Sequence, residues 1–226
     1  LSLMELFKKR LPEFRRRQSM AFPLPGMLSL IVMAMATGVR RGPQDLADYA
    51  DTLSEGQLRA LGFRKDRRSG KHRFPKKTTF SRVLAAVDAT ELEAVLLDWQ
   101  EQLIGPTKDK LIVVDGKKIR HSGTEIVNMA DGEGRFLGSA TTPDKTNEVP
   151  VARELLWRQD LKDRVVVADA LHTCAETARQ IHLEQGGDYL LSVKGNQKDL
   201  HQTLQQLFEE QPFSPSAQGG NPGAEA

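Results

Sequence analysis

The stretch Leu111-Ile112-Val113-Val114-Asp115-Gly116-Lys117 decides how the rest of the chain is read. Its four leading apolar residues, three of them β-branched, predict a strand buried on both faces. The run stops at a carboxylate followed by glycine. An aspartate at the tip of a buried strand is costly unless it meets a cation or hydrogen-bond donors. Val165-Val166-Val167-Ala168-Asp169 repeats the arrangement further along and leads into Ala170-Leu171-His172-Thr173. Two strands that each deliver an aspartate at the carboxyl end point to one shared site for a divalent metal ion.

The surrounding chain bounds what such a site can belong to. Its 226 residues suffice for one large or two small domains. With 39% hydrophobic and 27% charged residues, the composition is that of an ordinary soluble protein. Cys174 is the single cysteine, which excludes an internal disulfide framework or a Cys-rich zinc site and points to a reducing compartment. Leu1 to Arg10 is amphipathic and charged, unlike a signal peptide. The most apolar run, Leu24 to Thr37, is shorter than the roughly twenty residues a membrane helix needs and predicts a buried core helix.

The net charge of +2 hides a polarity along the chain. Residues 1–85 hold 18 Lys and Arg against 7 Asp and Glu, whereas the remainder holds 14 against 23. A basic front and an acidic back fit a polyanion-gripping module joined to a metal-binding one. Two solvated faces of opposite sign are the plainer reading.

Residue spacing predicts a short helix over Ser2–Arg10, then an exposed basic cluster at Arg15-Arg16-Arg17. Pro23 and Pro25 open an apolar helix that Gly38 closes, and Pro43 starts a third helix running to Ala50. Ser54-x-x-Gln57 predicts a capping box, with Gly62 ending that helix; Thr90-x-x-Glu93 and Thr173-x-x-Glu176 predict two more boxes. The densest basic segment holds Arg64, Lys65, Arg67, Arg68, Lys71, Arg73, Lys76 and Lys77 against Asp66 alone. It is expected to be an exposed loop that meets phosphates. The helix after it, Thr78–Val87, is either the DNA-facing helix of a helix-turn-helix-like unit or part of a plain bundle.

Gly105-Pro106 marks a boundary between a helical domain at 3–104 and a second domain at 110–210. In the second, strands Thr124–Met129 and Arg135–Thr141 flank the turn Asp131-Gly132-Glu133-Gly134. A helix from Pro150 to Gln159, the Val165 strand, a helix from Thr173 to Gln185, a strand Asp188–Val193 and a helix to Glu210 follow. The segment 211–226 has almost nothing apolar to bury and is expected to be a disordered tail. No Gly-rich phosphate loop follows either aspartate-bearing strand, which argues against a nucleotide-binding protein.

This order of elements, with aspartates ending its first and fourth strands, resembles an RNase H-like core. Four segments carry a closer resemblance: Asp115-Gly116-Lys117, Lys145-Thr146-Asn147-Glu148-Val149-Pro150, Ala168-Asp169-Ala170-Leu171-His172-Thr173, and Asp188-Tyr189-Leu190-Leu191-Ser192-Val193-Lys194-Gly195-Asn196-Gln197. They are similar to bacterial insertion-sequence transposases related to the H-repeat-associated proteins. Glu5-Leu6-Phe7 through Phe14-Arg15-Arg16 resembles that family's associated amino-terminal domain.

The resemblance implies an α/β fold class, with a small all-helical N-terminal domain followed by an incomplete RNase H-like mixed β-sheet domain with flanking helices. It implies DDE-type, metal-dependent DNA strand cleavage and transfer, with Mg²⁺ or Mn²⁺ as cofactor. It also implies element-end and target DNA as partners, a homodimer, and a bacterial cytoplasmic, nucleoid-associated location. Asp115 and Asp169 take the roles of first and second acid, catalytic and metal-ligating. The family's third acid is a Glu within a Tyr/Arg/Glu/Lys motif on a later helix, and residues 1–226 contain no such motif. The expectation is therefore a shortened transposase of weak or no activity, or a non-catalytic DNA-binding remnant or repressor. Glu176, Glu184, Glu209 and Glu210 are poor substitutes, Glu176 because its capping box already explains it.

Arg67, Arg68, Lys71, Arg73, Lys76 and Lys77, with Lys117 and Lys194 at strand ends, are the candidate DNA contacts. Gly116 is expected to let a substrate backbone approach closely. His172 is an auxiliary candidate that contacts phosphate or assists water, against a plain packing role. Trp99 and Trp157 are expected in the core, Asn196 as the cap of the last helix, and Cys174 as structural filler.

Overall fold

A computed structural model describes residues 1–15, 21–39, 42–119, 124–142 and 148–210. The chain divides into two compact units, Leu1–Pro106 and Thr107 onward. Arg16, Arg17, the Lys145–Asn147 part of the second quoted segment and the 211–226 tail lie outside the described residues.

The first unit contains helices α1 (Leu3–Arg10), α2 (Leu24–Ala36), α3 (Pro43–Asp51), α4 (Glu55–Ala60), α5 (Lys77–Ala86) and α6 (Ala89–Ile104). Reciprocal capping boxes open α1 at Ser2/Glu5 and α4 at Ser54/Gln57, satisfying N–H groups that a helix start leaves unpaired. The predicted box at Thr90 is replaced by Asp88, whose carboxylate accepts from the N–H groups of Thr90 and Glu91. Helix α2 is buried over most of its circumference, through Met27, Leu28, Leu30, Ile31 and Ala34, as its continuous apolar run requires. At Gly26 a Cβ would overlap the carbonyl oxygen of Leu61, so only glycine allows this approach. Pro23 gives α2 no side-chain cap. Glu13 supplies one from outside, accepting from Leu24 N at 3.1 Å while pairing with the Arg15 guanidinium at 2.7 Å. Arg15 is thus not part of an exposed cluster, its side chain being only 11% exposed. Trp99 packs against this unit's core.

The second unit is built on strands β1 (Leu111–Lys118), β2 (Glu125–Asp131), β3 (Phe136–Thr142), β4 (Val165–Ala168) and β5 (Asp188–Leu191). Their order is β3-β2-β1-β4-β5. The first three pair antiparallel; β4 joins β1, and β5 joins β4, in parallel. This mixed sheet with flanking helices is the RNase H-like arrangement expected from the order of elements. Helix α7 (Glu148–Leu156) crosses from β3 to β4 and buries Ala152, Leu155 and Leu156 against Ile112, Val114, Val127, Met129 and Val166. After β4 comes α8 (Ala175–Arg179), continuing as a π-helical turn Gln180–Glu184, and α9 (Lys198–Glu210) follows β5.

Several local expectations are corrected here. Strand β1 alternates instead of being buried on both faces: Ile112 and Val114 are inside, while Leu111 and Val113 are exposed. Helix α7 covers one face; the exposed Leu190 shows the other open as well. No capping box forms at Thr173, whose hydroxyl instead donates to the carbonyl of Ser192 at 2.6 Å, and Glu176 is exposed. Trp157 lies just past α7 and is exposed. The Asn196 amide donates to the Ala170 carbonyl at 2.9 Å, so it secures the loop after Asp169.

Candidate functional site

Register brings the two aspartates together, although β1 does not stop at the first of them but runs on through Asp115 to Lys118, paired with β2. Parallel pairing sets Val114 opposite Ala168, so Asp115 and Asp169 are the next residues along neighbouring strands at one edge of the sheet. Both are exposed. Asp115 lies 3.5 Å from the Lys117 ammonium. One Asp169 oxygen accepts from Leu171 N at 3.0 Å, and its carbonyl accepts from His172 N at 3.1 Å, bending the chain into the loop that Asn196 and Gln197 hold. Lys194 follows β5 at the same edge and is exposed.

His172 is 2% exposed, and its Nδ1 has no hydrogen-bond partner. Burial pushes its pKa down, and the pull of Asp169 and then Asp115 in the other direction does not overcome this.

Sequence reasoning missed Glu148. Strands β1 and β3 both run antiparallel to β2, so β3 leaves the sheet at the edge where Asp115 sits, and α7 starts there with Glu148. A Cβ on Gly116 would overlap the Glu148 carboxylate. The room above Gly116, expected to admit substrate, is therefore filled by an acid of the chain itself. Burial raises the Glu148 pKa, and the charges of Glu125, Asp169 and Asp115 raise it further. Glu125 has a cation of its own, Lys118, at 3.5 Å. The missed signal was a Glu in the first turn of the crossover helix, which the topology returns to the strand tips.

The donor set at this edge is all carboxylate oxygen, suited to a hard divalent cation such as Mg²⁺ or Mn²⁺. The filled cradle over Gly116 and the orphaned Nδ1 of His172 also fit a site built for a charged, hydrated ion. Among the described residues, no three His, Cys, Asp or Glu side chains already stand arranged to hold a metal.

In the first unit the basic segment is the exposed connection expected, pinned by local contacts. Lys65 and His72 pair in an antiparallel bridge, and Asp66 accepts from Arg68 N at 2.9 Å and Ser69 N at 3.0 Å. Glu55 accepts from His72 N. Arg67, Arg68, Lys71, Arg73, Lys76 and Lys77 all remain exposed, with Lys76 lying 3.7 Å over the Phe74 ring. The connection Leu61–Lys76 between α4 and α5 far exceeds the roughly three- to four-residue turn of a helix-turn-helix, so that geometry is not formed.

Comparison with known proteins gives these observations a lineage. The DDE_Tnp_1-associated family matches residues 5–100, and the transposase DDE domain family matches residues 79–222. The "H repeat-associated putative transposase YhhI" of Escherichia coli K12 is 26% identical over 207 residues, covering 88% of this chain and 52% of that protein. The "Putative transposase YncI" of E. coli O157:H7 is 30% identical over 213 residues, 90% of this chain and 52% of its own length. The chain thus spans about half the length of these relatives. A piggyBac transposase synaptic complex with hairpin DNA aligns at TM-score 0.47 and 15% identity, over 90% of this chain and 52% of that one. With its model matched across more than half of the sequence, the chain belongs to the transposase DDE domain family.

Proposed function

We propose that this chain supplies the strand-cleaving portion of an insertion-sequence transposase, with Asp115 and Asp169 as the metal-binding, catalytic pair. The observation that carries this reading is the parallel register of β1 and β4, which sets the two acids side by side on a rigid sheet edge. When bound, Mg²⁺ would activate the attacking oxygen and stabilise the leaving one in an in-line displacement at phosphorus. The residues around the pair do the positioning. Lys117 and Lys194 offer exposed ammonium groups to phosphate at the same edge. His172, neutral and buried, offers a nitrogen that can order a water molecule.

The test is Mg²⁺-dependent nicking of element-end DNA by the full chain. Asp115→Asn or Asp169→Asn is expected to lower cleavage by more than the about 10–100-fold seen when only a metal's supporting residues are removed. Equal cleavage by wild type and variants would refute the assignment.

A second reading, a DNA-binding protein that occupies element ends without cutting, is favoured by the pinned basic hairpin. Affinity should then fall steeply with salt. Replacing Arg67, Arg68, Lys76 and Lys77 by Ala should flatten the slope of log K against log [salt] by about 3 if each meets a phosphate. An unchanged slope would remove this surface from the DNA interface.

A further inference from the structure

We infer that the basic segment between α4 and α5 is a preformed β-hairpin whose tip, Arg67 and Arg68, enters the major groove of double-stranded DNA and meets guanine edges. Lys71, Arg73, Lys76 and Lys77 hold the flanking phosphates. The inference rests on the reading of this segment as a DNA-binding surface and adds the form of the nucleic acid and the division of roles among the cations.

The segment is a two-stranded ribbon. Lys65 and His72 form its antiparallel bridge, Asp66 N donates to the Lys71 carbonyl at 2.8 Å, and Arg73 N donates to the Arg64 carbonyl at 3.0 Å. Residues Arg67–Gly70 make the turn. Gly70 N donates to the Asp66 carbonyl at 2.9 Å, and Gly70 takes φ +68°, which glycine adopts at little cost. The Asp66 carboxylate ties down Arg68 N and Ser69 N, so the one acid of the segment is used inside the turn. The base is anchored as well. Arg64 N donates to the Ala21 carbonyl at 3.0 Å, the Glu55 carboxylate pairs with the ring and backbone N–H of His72, and Phe63 is buried in the core. What this leaves outside is positive charge. From Arg67 to Val87 the chain holds seven Lys and Arg and no Asp or Glu. Arg67 and Arg68 are exposed at the tip, and neither pairs with a carboxylate among the described residues. A two-stranded ribbon fits the major groove of DNA, about 12 Å wide, but not the minor groove, about 6 Å wide. The deep, narrow major groove of duplex RNA excludes it. Single strands are held by stacking bases on aromatic rings, and residues 64–73 contain no Phe, Tyr or Trp. An arginine fork matches the O6 and N7 acceptors of guanine, which a lysine ammonium meets only as a point charge. Two such forks on a fixed turn select sequence, whereas the lysines behind them add affinity without selection.

The experiment selects duplexes from a pool of randomised double-stranded DNA with the full-length chain in EDTA, which keeps strand cleavage out of the readout. Affinities for the selected duplex and for a scrambled one are then measured by fluorescence anisotropy, with circular dichroism confirming that each variant is folded. Wild type is expected to prefer the selected duplex by at least about tenfold, and methylation of guanine N7 within it should abolish that preference. Arg67→Lys with Arg68→Lys keeps both charges. This variant should bind the scrambled duplex like wild type, lose the preference and become insensitive to N7 methylation. Lys76→Ala with Lys77→Ala should weaken both duplexes alike and lower the salt slope by about 2. If the two-lysine tip keeps the preference, if selection by wild type yields no preferred sequence, or if duplex RNA competes as well as DNA, entry into the groove is overturned and the phosphate-binding reading stands. If wild type binds no DNA, both readings fall.

Discussion

The two edges of the same five-stranded sheet treat their acids in opposite ways. At the β2–β3 turn, Asp131 is 3% exposed, and its carboxylate accepts from the hydroxyl of Thr107 at 2.6 Å and from the N–H groups of Glu133 and Arg135 at 3.1 and 2.8 Å. At the other end, burial and the charges of Glu125, Asp169 and Asp115 raise the pKa of Glu148, and the buried Nδ1 of His172 has no partner among the described residues. Antiparallel pairing sets Asp131 opposite Ile112 near the start of β1, and Asn128 opposite Asp115 further along it. The first arrangement is what a carboxylate kept for folding looks like: two donors come from its own turn and one from Thr107, and its charge is spread over three hydrogen bonds. The second leaves Glu148 among like charges, a setting that folding alone does not favour.

Stability measurements should separate the edges most strongly. Asp131→Ala leaves buried donors without an acceptor and is expected to cost about 2–3 kcal/mol, read as a lower urea midpoint. Asp115→Asn should change stability by less than about 0.5 kcal/mol. Similar losses in both would erase the distinction.

Acid titration gives a medium-sized effect. Burial alone would raise the Asp131 pKa, but the Thr107 hydroxyl and the N–H groups of Arg135 and Glu133 outweigh it and hold the carboxyl below its ordinary 3.8. Its contribution is therefore complete above that value and lost as pH falls through the lower, folded-state pKa. The stability gap between wild type and Asp131→Asn should be widest near neutral pH and close below about pH 4. A gap independent of pH would mean that the charge is irrelevant to the turn.

The smallest effect belongs to Glu148. Removing its charge relieves repulsion, so Glu148→Gln should melt about 1–2 °C higher than wild type in chelator at neutral pH. A lower melting point for the variant in chelator would show that the acid supports the fold and would place it with Asp131.

The helical unit was largely readable in one dimension because its determinants are local. The Ser54/Gln57 box, the proline-opened apolar run and the glycine stops each act within a turn of the residues that encode them. Reading failed where a distant partner took over. Thr90 lost its cap to Asp88 and Thr173 gave its hydroxyl to Ser192, so a capping pattern was present without its hydrogen bonds. Arg15 looked like a member of a basic run, yet Glu13 folds back to pair with it while capping α2. For the sheet, period-two burial in β1 shows that a run of four apolar residues does not by itself say that both faces are covered.

Asp115 and Asp169 could be singled out in the sequence because a charge ending an apolar run is a local anomaly. The exposed basic segment and the RNase H-like order of elements are legible as well, since both follow from patterns along the chain. Glu148 has no such mark. Only the antiparallel path of β3 and the crossover of α7 carry it back over Gly116 and into the field of the two aspartates. Spacing encodes what neighbouring residues do to one another. Which side chains from separate strands and a helix come near one another is decided by sheet register and close packing, which exist only once the chain has folded.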